Sequence, residues 1–131
     1  KKTEFKKFVS SLDYISIHCP LNRNSENLIT IKDLKLMKHN LILINTARGG
    51  IVNEVDLTKA LKRKIIAGAG IDVTTTEPPN PSHAYYIILN RSNFIWKPHT
   101  SWASQETLQG AINQLVENIN SFYKGKKRNI V

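Results

Sequence analysis

The chain has 131 residues, 40% of them hydrophobic and 22% charged, which predicts one globular core rather than a disordered or fibrous chain. Its 19 basic and 10 acidic residues give a net charge of +9, which favours anionic partners. No apolar run is long enough to span a membrane, and the charged amino end lacks a signal-peptide pattern. The single cysteine, Cys19, excludes an internal disulfide and predicts a reducing, cytoplasmic location.

The basic residues are spread along the chain rather than gathered in one tract, and no nucleic-acid-binding motif accompanies them. We therefore predict a solvated basic surface and no nucleic-acid partner. Nucleic-acid binding stays an alternative, which would show steeply salt-dependent association with DNA. The same positive field would also favour a phosphate-bearing cofactor and a carboxylate substrate.

Near the amino end, apolar residues recur at the spacing of a short amphipathic helix: Phe5, Phe8, Val9 and Leu12. The segment from Tyr14 to His18 then predicts a strand, which Cys19 and Pro20 end because proline cannot continue a central ladder. His18 has no evident partner nearby in sequence and is interpreted as structural.

Thr30 and Asp33 form a variant of the capping box and predict a helix over 31–38. His39 follows at the carboxyl end of this helix as a surface residue. The run 41–44 is apolar throughout, and Gly49 and Gly50 follow shortly after it. This pattern is typical of a strand buried on both faces of a parallel sheet.

Asn53 predicts the start of the next helix, with Asp56 placed for a reciprocal bond. Its expected apolar stripe consists of Val55, Leu57, Ala60 and Leu61. A strand follows within 65–73, where Gly68 and Gly70 suggest the close approach of other backbone.

A proline-rich loop is predicted from residue 74 to 87, and a short strand over 94–96 ends before Pro98. The last element is a long amphipathic helix from Ser101 to Lys124, which Gly125 stops. The four histidines and one cysteine show no ligand spacing, so no metal site is expected.

Four strands alternating with helices predict a parallel α/β sheet, in which ligands bind beyond the carboxyl ends of the strands. The loops at those ends carry Pro20, Arg48, Asp72, Glu77 and His99. A guanidinium such as Arg48 suits a substrate carboxylate, and His99 suits proton exchange near neutral pH. Glu77 could fix the tautomer of a histidine. The alternatives are a structural ion pair for Arg48 and a surface turn for Glu77.

Four motifs then appear in order: NTARGG, AGAGIDV with EPP close behind, and a Pro-His pair at residues 98–99. This series resembles the cofactor-binding domain of the D-isomer-specific 2-hydroxyacid dehydrogenases, from about Ser11 to the last residue. The details PHTSWAS and KxxNIV are most similar to the glycerate dehydrogenase, or hydroxypyruvate reductase, branch. The resemblance implies the carboxyl-terminal half of a Rossmann-type doubly wound sheet over 1–100. Residues 101–131 would then form an interdomain helix and a tail that returns to a substrate domain.

The resemblance also implies roles for individual residues. The catalytic set would be Arg48, Glu77 and His99. The residues implied to contact NAD or NADP, of which NAD is favoured, are Cys19, Pro20, Thr46, Ala47, Arg48, Asp72 and His99. Those implied to contact a 2-oxo or 2-hydroxy acid, with hydroxypyruvate or glyoxylate favoured, are Arg48, His99 and Trp102. Trp102 could equally pack the start of the long helix.

The family's glycine-rich phosphate loop and the acidic ribose-binding residue are missing from these 131 residues. We therefore expect the chain alone to be inactive. The resemblance separately implies a homodimer for the full-length enzyme. Lys97 and the segment SHAYYI also depart from the family pattern. The alternative function is a dinucleotide-sensing or partner-binding module without turnover, as in corepressor relatives.

Overall fold

The computed structural model describes residues 2–130, with side chains from Phe5 onward. The chain divides into two compact units, one ending at His99 and the other beginning at Thr100. The first unit is built on one sheet of four strands: β1 (Tyr14–Ile17), β2 (Ile42–Asn45), β3 (Gly68–Ile71) and β4 (Phe94–Trp96). All neighbouring strands are parallel, in the order β1-β2-β3-β4. The predicted parallel α/β sheet is confirmed, so every strand delivers its following loop to the same edge.

The helices of the first unit alternate with the strands, and the first helix precedes β1. They are α1 (Lys2–Ser11), α2 (Ile31–Leu34), α3 (Glu54–Lys62) and a short 3-10 helix (Ala84–Ile88). The strand β2 is central, and Leu43 on it is fully buried. Residues from all layers form one apolar core, including Val9, Leu34, Leu57, Leu61, Ile66, Tyr85 and Ile88. Burial of such side chains contributes roughly 1.5–3 kcal/mol each to folding.

The helix caps are partly as predicted. Asp33 accepts hydrogen bonds from the N–H of Thr30 at 3.0 Å and from its hydroxyl at 2.7 Å. Asn53 accepts from the N–H of Asp56 at 3.0 Å, which confirms it as the cap of α3. The expected reciprocal bond was wrong, because the Asp56 carboxylate accepts from the N–H of Ile31 instead.

Several packing predictions were wrong. Helix α2 ends at Leu34, because the next turns use i to i+3 bonds such as Met37 N–H to Leu34 O. On α3, the predicted Leu57, Ala60 and Leu61 are fully buried, but Val55 is exposed and Thr58 is buried instead. On α1, Phe8 is more than half exposed although Val9 is buried.

The two strand glycines differ from each other. A Cβ at Gly68 would lie 3.1 Å from the carbonyl oxygen of Asn93, which bears out the expected close approach. At Gly70 nothing lies within 4 Å, so the same expectation was wrong there. The predicted loop over 74–87 was also too long. It contains the start of the 3-10 helix, capped by His83, whose side chain accepts from the N–H of Tyr85.

The second unit contains the long helix α4 (Gln105–Tyr123). Ser104 caps it by accepting from the N–H of Thr107, and Gly125 follows its end with a φ of +66°. Its start therefore lies four residues after the predicted one. No residue of α4 is buried, and Ile112, Leu115 and Ile119 are each more than half exposed. Among the described helices, none is both long and apolar enough to cross a membrane.

Candidate active site

The loop after β2 is folded around one buried amide. Asn45, at the end of the strand, is 2% exposed. Its Nδ2 donates to the carbonyl of Arg48 at 2.9 Å, and its Oδ1 accepts from the N–H of Ala47 at 3.1 Å. Arg48 itself is exposed and donates from Nη1 to the carbonyl of Ala47 at 2.7 Å. The amide of Asn45 therefore sets the course of the backbone that carries Arg48.

Gly49 brings this loop against the loop that follows β3. A Cβ at Gly49 would lie 2.0 Å from the carbonyl carbon of Thr74 and 2.3 Å from the nitrogen of Thr75. Only glycine fits there, because the atoms that a Cβ would meet belong to the backbone and cannot move aside as the end of a flexible side chain can. The next residue, Gly50, has a φ of +80°, which disfavours other residues. The loops after β2 and β3 are thus in direct backbone contact.

His99 is held by the backbone after β4. Its N–H donates to the carbonyl of Asp72 at 2.7 Å, and two residues earlier the N–H of Lys97 donates to Ile71 O at 2.9 Å. These bonds continue the pairing of β3 with β4 beyond the strands. His99 has a φ of +55°, a left-handed conformation that is uncommon for a residue with a side chain. The Asp72 side chain is buried beside it, with the residue 4% exposed.

Glu77 and His99 form a close pair. The Nδ1 of His99 lies 2.6 Å from Oε2 of Glu77, and the other carboxylate oxygen accepts from the N–H of Thr74 at 2.9 Å. Partial burial raises the pKa of Glu77, but the hydrogen bonds from His99 and from the Thr74 N–H outweigh it and place this pKa below its ordinary value. Both side chains remain partly open to solvent. An ionised Glu77 of this kind fixes a proton on Nδ1 and leaves the exchange with a ligand to Nε2 of His99.

This pair lines a cleft of about 510 Å³, the size of a small-molecule site. Its lining residues are Asp72, Thr74, Glu77, Pro78, Pro79, Tyr86, Leu89, Trp96, Lys97, Pro98 and His99. The cleft lies at the carboxyl ends of β3 and β4, where the sequence places it. Lys97, noted above as unusual before Pro-His, adds a positive charge to the wall.

A second groove, of about 640 Å³, lies at the carboxyl ends of β1 and β2. It is lined by His18, Cys19, Pro20, Leu21, Thr46, Ala47 and Arg48. His18 has a partner two residues away, since its Nε2 lies 2.7 Å from the hydroxyl of Ser16. The expectation that nothing nearby pairs with His18 was therefore wrong.

The predicted site residues thus fall into two neighbouring groups. Asp72, Glu77 and His99 share the first cleft, whereas Arg48 lies along the second groove. The two are linked through the contact of Gly49 with Thr74. Trp102 belongs to the second unit, and its role at a substrate pocket stays a prediction. Among residues 2–130, no three metal-ligating side chains are grouped closely enough to hold a metal ion.

Sequence reasoning missed three polar residues that shape these loops. Asn45 was counted only as part of a motif, although its amide forms hydrogen bonds that fix the loop after β2, the loop that carries Arg48. Glu54 and His83 form a buried pair with 2.8 Å between Oε2 and Nε2. The position of Asn45 at the end of an apolar run was a usable signal, because a polar group there must find a partner. Glu54 gave none beyond the usual acidic residue in a first helical turn.

Comparison with known proteins identifies the family. The model of the NAD-binding domain of D-isomer specific 2-hydroxyacid dehydrogenases matches residues 1–101. A glycerate dehydrogenase of Methylorubrum extorquens is 41% identical over 128 residues, which cover 98% of this chain and 40% of the relative. A glyoxylate reductase of Thermococcus litoralis is 39% identical over 125 residues, with 94% of this chain and 36% of the relative covered.

A solved structure agrees with these relatives. The NAD-complexed D-isomer specific 2-hydroxyacid dehydrogenase of Lactobacillus delbrueckii ssp. bulgaricus superposes with a TM-score of 0.86 and 29% identity. The match covers 97% of this chain and 42% of that protein. The chain therefore spans well under half the length of the proteins it matches. With a family model covering more than three quarters of its residues, the chain belongs to the D-isomer-specific 2-hydroxyacid dehydrogenase family.

Proposed function

We propose that this chain is the carboxyl-terminal part of an NAD-dependent oxidoreductase that interconverts a small 2-oxo acid and the corresponding 2-hydroxy acid. Hydroxypyruvate and glyoxylate are the favoured substrates, because the relatives at about 40% identity are named glycerate dehydrogenase and glyoxylate reductase. The observation that carries the proposal is the Glu77 and His99 pair, which faces a cleft at the carboxyl ends of parallel strands.

The reaction needs a hydride at the carbonyl carbon, a proton exchanged with the substrate oxygen and a group that binds the substrate carboxylate. Reduced NAD supplies a hydride to the carbonyl carbon of the substrate. His99 then exchanges a proton with the substrate oxygen through Nε2, because Glu77 occupies Nδ1. The carboxylate of Glu77 holds the ring in the orientation that presents Nε2 to the substrate. Arg48 would bind the substrate carboxylate, since its guanidinium is always charged and can make two parallel bonds.

The two grooves are suited to the nicotinamide half of a dinucleotide. Their walls combine small residues such as Thr46 and Ala47 with a buried carboxylate at Asp72. We assign Cys19, Pro20, Thr46 and Ala47 to one side of the cofactor and Asp72 to its carboxamide. The description of the family model as NAD-binding and the NAD-complexed relative support NAD as the cofactor, with NADP as the alternative.

The remaining assignments extend to the full-length protein. We propose that residues 1–100 form part of the dinucleotide-binding domain and that 101–131 join it to a substrate domain, where Trp102 would line the substrate pocket. The single Cys19 supports a cytoplasmic location. The exposed apolar side chains of α4 support burial against another part of the protein, and a homodimer is expected.

The role of Arg48 gives a direct test in the full-length protein. Arg48→Ala removes a charged hydrogen-bond donor to the substrate, so kcat/KM for hydroxypyruvate should fall by roughly 10- to 100-fold. Steady-state oxidation of NADH measures this loss. Arg63→Ala is the matched control, because Arg63 is an exposed arginine at the end of α3 and away from both grooves.

Two outcomes would contradict the proposal. One is full activity in Arg48→Ala. The other is tight NADH binding by the wild-type protein without turnover of any 2-oxo acid, which would favour the dinucleotide-sensing alternative.

A further inference from the structure

Building on the proposed function, we propose that Glu54 is a positioning residue for the Glu77 and His99 pair. Its carboxylate lies at the first position of α3 and reaches the loop that carries Glu77. Oε1 of Glu54 accepts from the N–H of Thr75 at 2.8 Å, and Oε2 accepts from the Thr75 hydroxyl at 2.7 Å. Both donors of one loop residue are therefore held by one carboxylate, 21 residues away in sequence.

His83 holds this carboxylate in place from the other side. Its Nε2 lies 2.8 Å from Oε2 of Glu54, and its Nδ1 accepts from the N–H of Tyr85 at 3.3 Å. Because Nδ1 is an acceptor, Nε2 must carry the hydrogen that is donated to Glu54. The ring stacks on Trp96 with 5.6 Å between centroids and meets Tyr85 edge-on at 4.9 Å. The side chains of His83 and Glu54 are only 7% and 11% exposed.

The connection from Glu54 to the reacting pair is short. Thr75 is bonded to Thr74, whose N–H donates to Oε1 of Glu77, and Oε2 of Glu77 contacts His99. Fixing the backbone at Thr75 thus aims the Thr74 N–H at Glu77. A buried carboxylate loses solvation free energy, and three donors offset that loss here. Glu54 itself contacts neither His99 nor Glu77 in these bonds, so its effect is on geometry.

Glu54→Gln is the test, made on the 131-residue chain without cofactor or substrate. An amide has one acceptor oxygen, so either orientation of Gln sets an N–H₂ group against one of the donors of Thr75 or His83. The loop should loosen and Glu77 should lose the bond from Thr74. Carbon-13 NMR of labelled glutamate carboxyls measures the titration of Glu77, and amide hydrogen exchange measures the protection of Thr74.

The sign of the change separates positioning from simple electrostatics. The charged and titratable groups around Glu77 are His99 and Asp72, and Lys97 lines the same cleft. Removing the negative charge of Glu54 would by itself lower the pKa of Glu77, because one like charge is lost. Loss of the Thr74 bond raises the pKa of Glu77 instead. We expect a raised pKa for Glu77, together with exchange at Thr74 that is at least about tenfold faster.

Asp56→Asn is the matched control. Asp56 lies on the same helix, loses the same charge and also accepts from a backbone N–H, but that of Ile31. It should leave the titration of Glu77 and the exchange at Thr74 unchanged. Unchanged exchange in β2 and β3 shows that the Glu54→Gln chain is folded.

If Glu54→Gln fails to fold, Thr75→Val replaces it, because this variant removes only the hydroxyl bond to Glu54. A raised pKa of Glu77 in either folded variant supports the proposal. An unchanged or lowered pKa, or the same rise in Asp56→Asn, overturns it. The titration needs no turnover, so it can succeed or fail independently of the dehydrogenase assignment, which the activity of Arg48→Ala tests.

Discussion

His99→Gln is expected to lower kcat of the full-length protein with hydroxypyruvate and NADH by about a thousandfold. Glutamine is close in size to histidine and its amide can donate a hydrogen bond as Nδ1 does, but it cannot take up and release a proton near neutral pH. The backbone bond from His99 to Asp72 O does not involve the side chain and should persist. The titratable ring is lost, so the proton exchange should fail while cofactor affinity changes little. Stopped-flow or steady-state absorbance of NADH measures kcat, and fluorescence titration measures the affinity.

His39→Gln is the control for this substitution. His39 lies before β2, at the opposite end of the strands from both grooves. Its substitution replaces the same side chain by the same one. Its kcat should stay within twofold of the wild type, roughly the effect of a neutral surface substitution. A His99→Gln protein that keeps more than a tenth of the wild-type kcat would remove His99 from the proposed mechanism.

Gly49→Ala should be the most destabilising single change in this part of the chain. The added methyl group would lie 2.0 Å from the Thr74 carbonyl carbon and 2.2 Å from its oxygen. Either the loop after β2, which carries Arg48, or the loop after β3, which carries Glu77, must move. This should lower the free energy of unfolding by roughly 3 kcal/mol or more. Urea unfolding of the 131-residue chain followed by circular dichroism measures this loss.

Gly70→Ala gives the matched comparison. Gly70 lies within β3, and nothing in the described structure lies within 4 Å of its added Cβ. Alanine lowers the conformational entropy of the unfolded chain, so the free energy of unfolding should rise by about 0.5 kcal/mol. Equal stability of the two variants would show that the Gly49 contact with Thr74 does not exist in solution.

The order of elements could be predicted because it rests on local patterns. The apolar run before Asn45 and the caps at Thr30 and Asn53 each depend on neighbours within a few residues. Parallel strands then bring their following loops to one edge, so the cleft holding Glu77 and His99 was foreseeable.

The hydrogen bonds that hold the loop carrying Glu77 in place could not be predicted in this way. Glu54 looks like an ordinary acidic residue at a helix start, and only the folded chain brings Thr75 and His83 to it. The prediction for α3 was right at Leu57, Ala60 and Leu61 and wrong at Val55 for a related reason. Thr58 is buried and Val55 exposed because the elements that pack against α3, namely α2 and the 3-10 helix, decide which side of it is covered.

The contacts of Arg48 also could not be predicted from neighbouring residues alone. The sequence placed it at the same edge as Glu77, and the structure puts the loops of these two residues in contact through Gly49 and Thr74. Its exposed side chain bends back to the Ala47 carbonyl. An exposed arginine has several conformations of similar free energy, so the bound substrate is expected to select the one that reaches its carboxylate.

The most direct test of the proposed function is to measure hydride transfer from the cofactor to the substrate. The full-length protein is incubated with hydroxypyruvate and NADH deuterated at the transferred position, and the product is analysed by NMR. Deuterium should appear on the carbon that bore the keto group, at a rate that His99→Gln lowers about a thousandfold. Product without deuterium at that carbon, or equal transfer in wild type and His99→Gln, would contradict the proposed reaction.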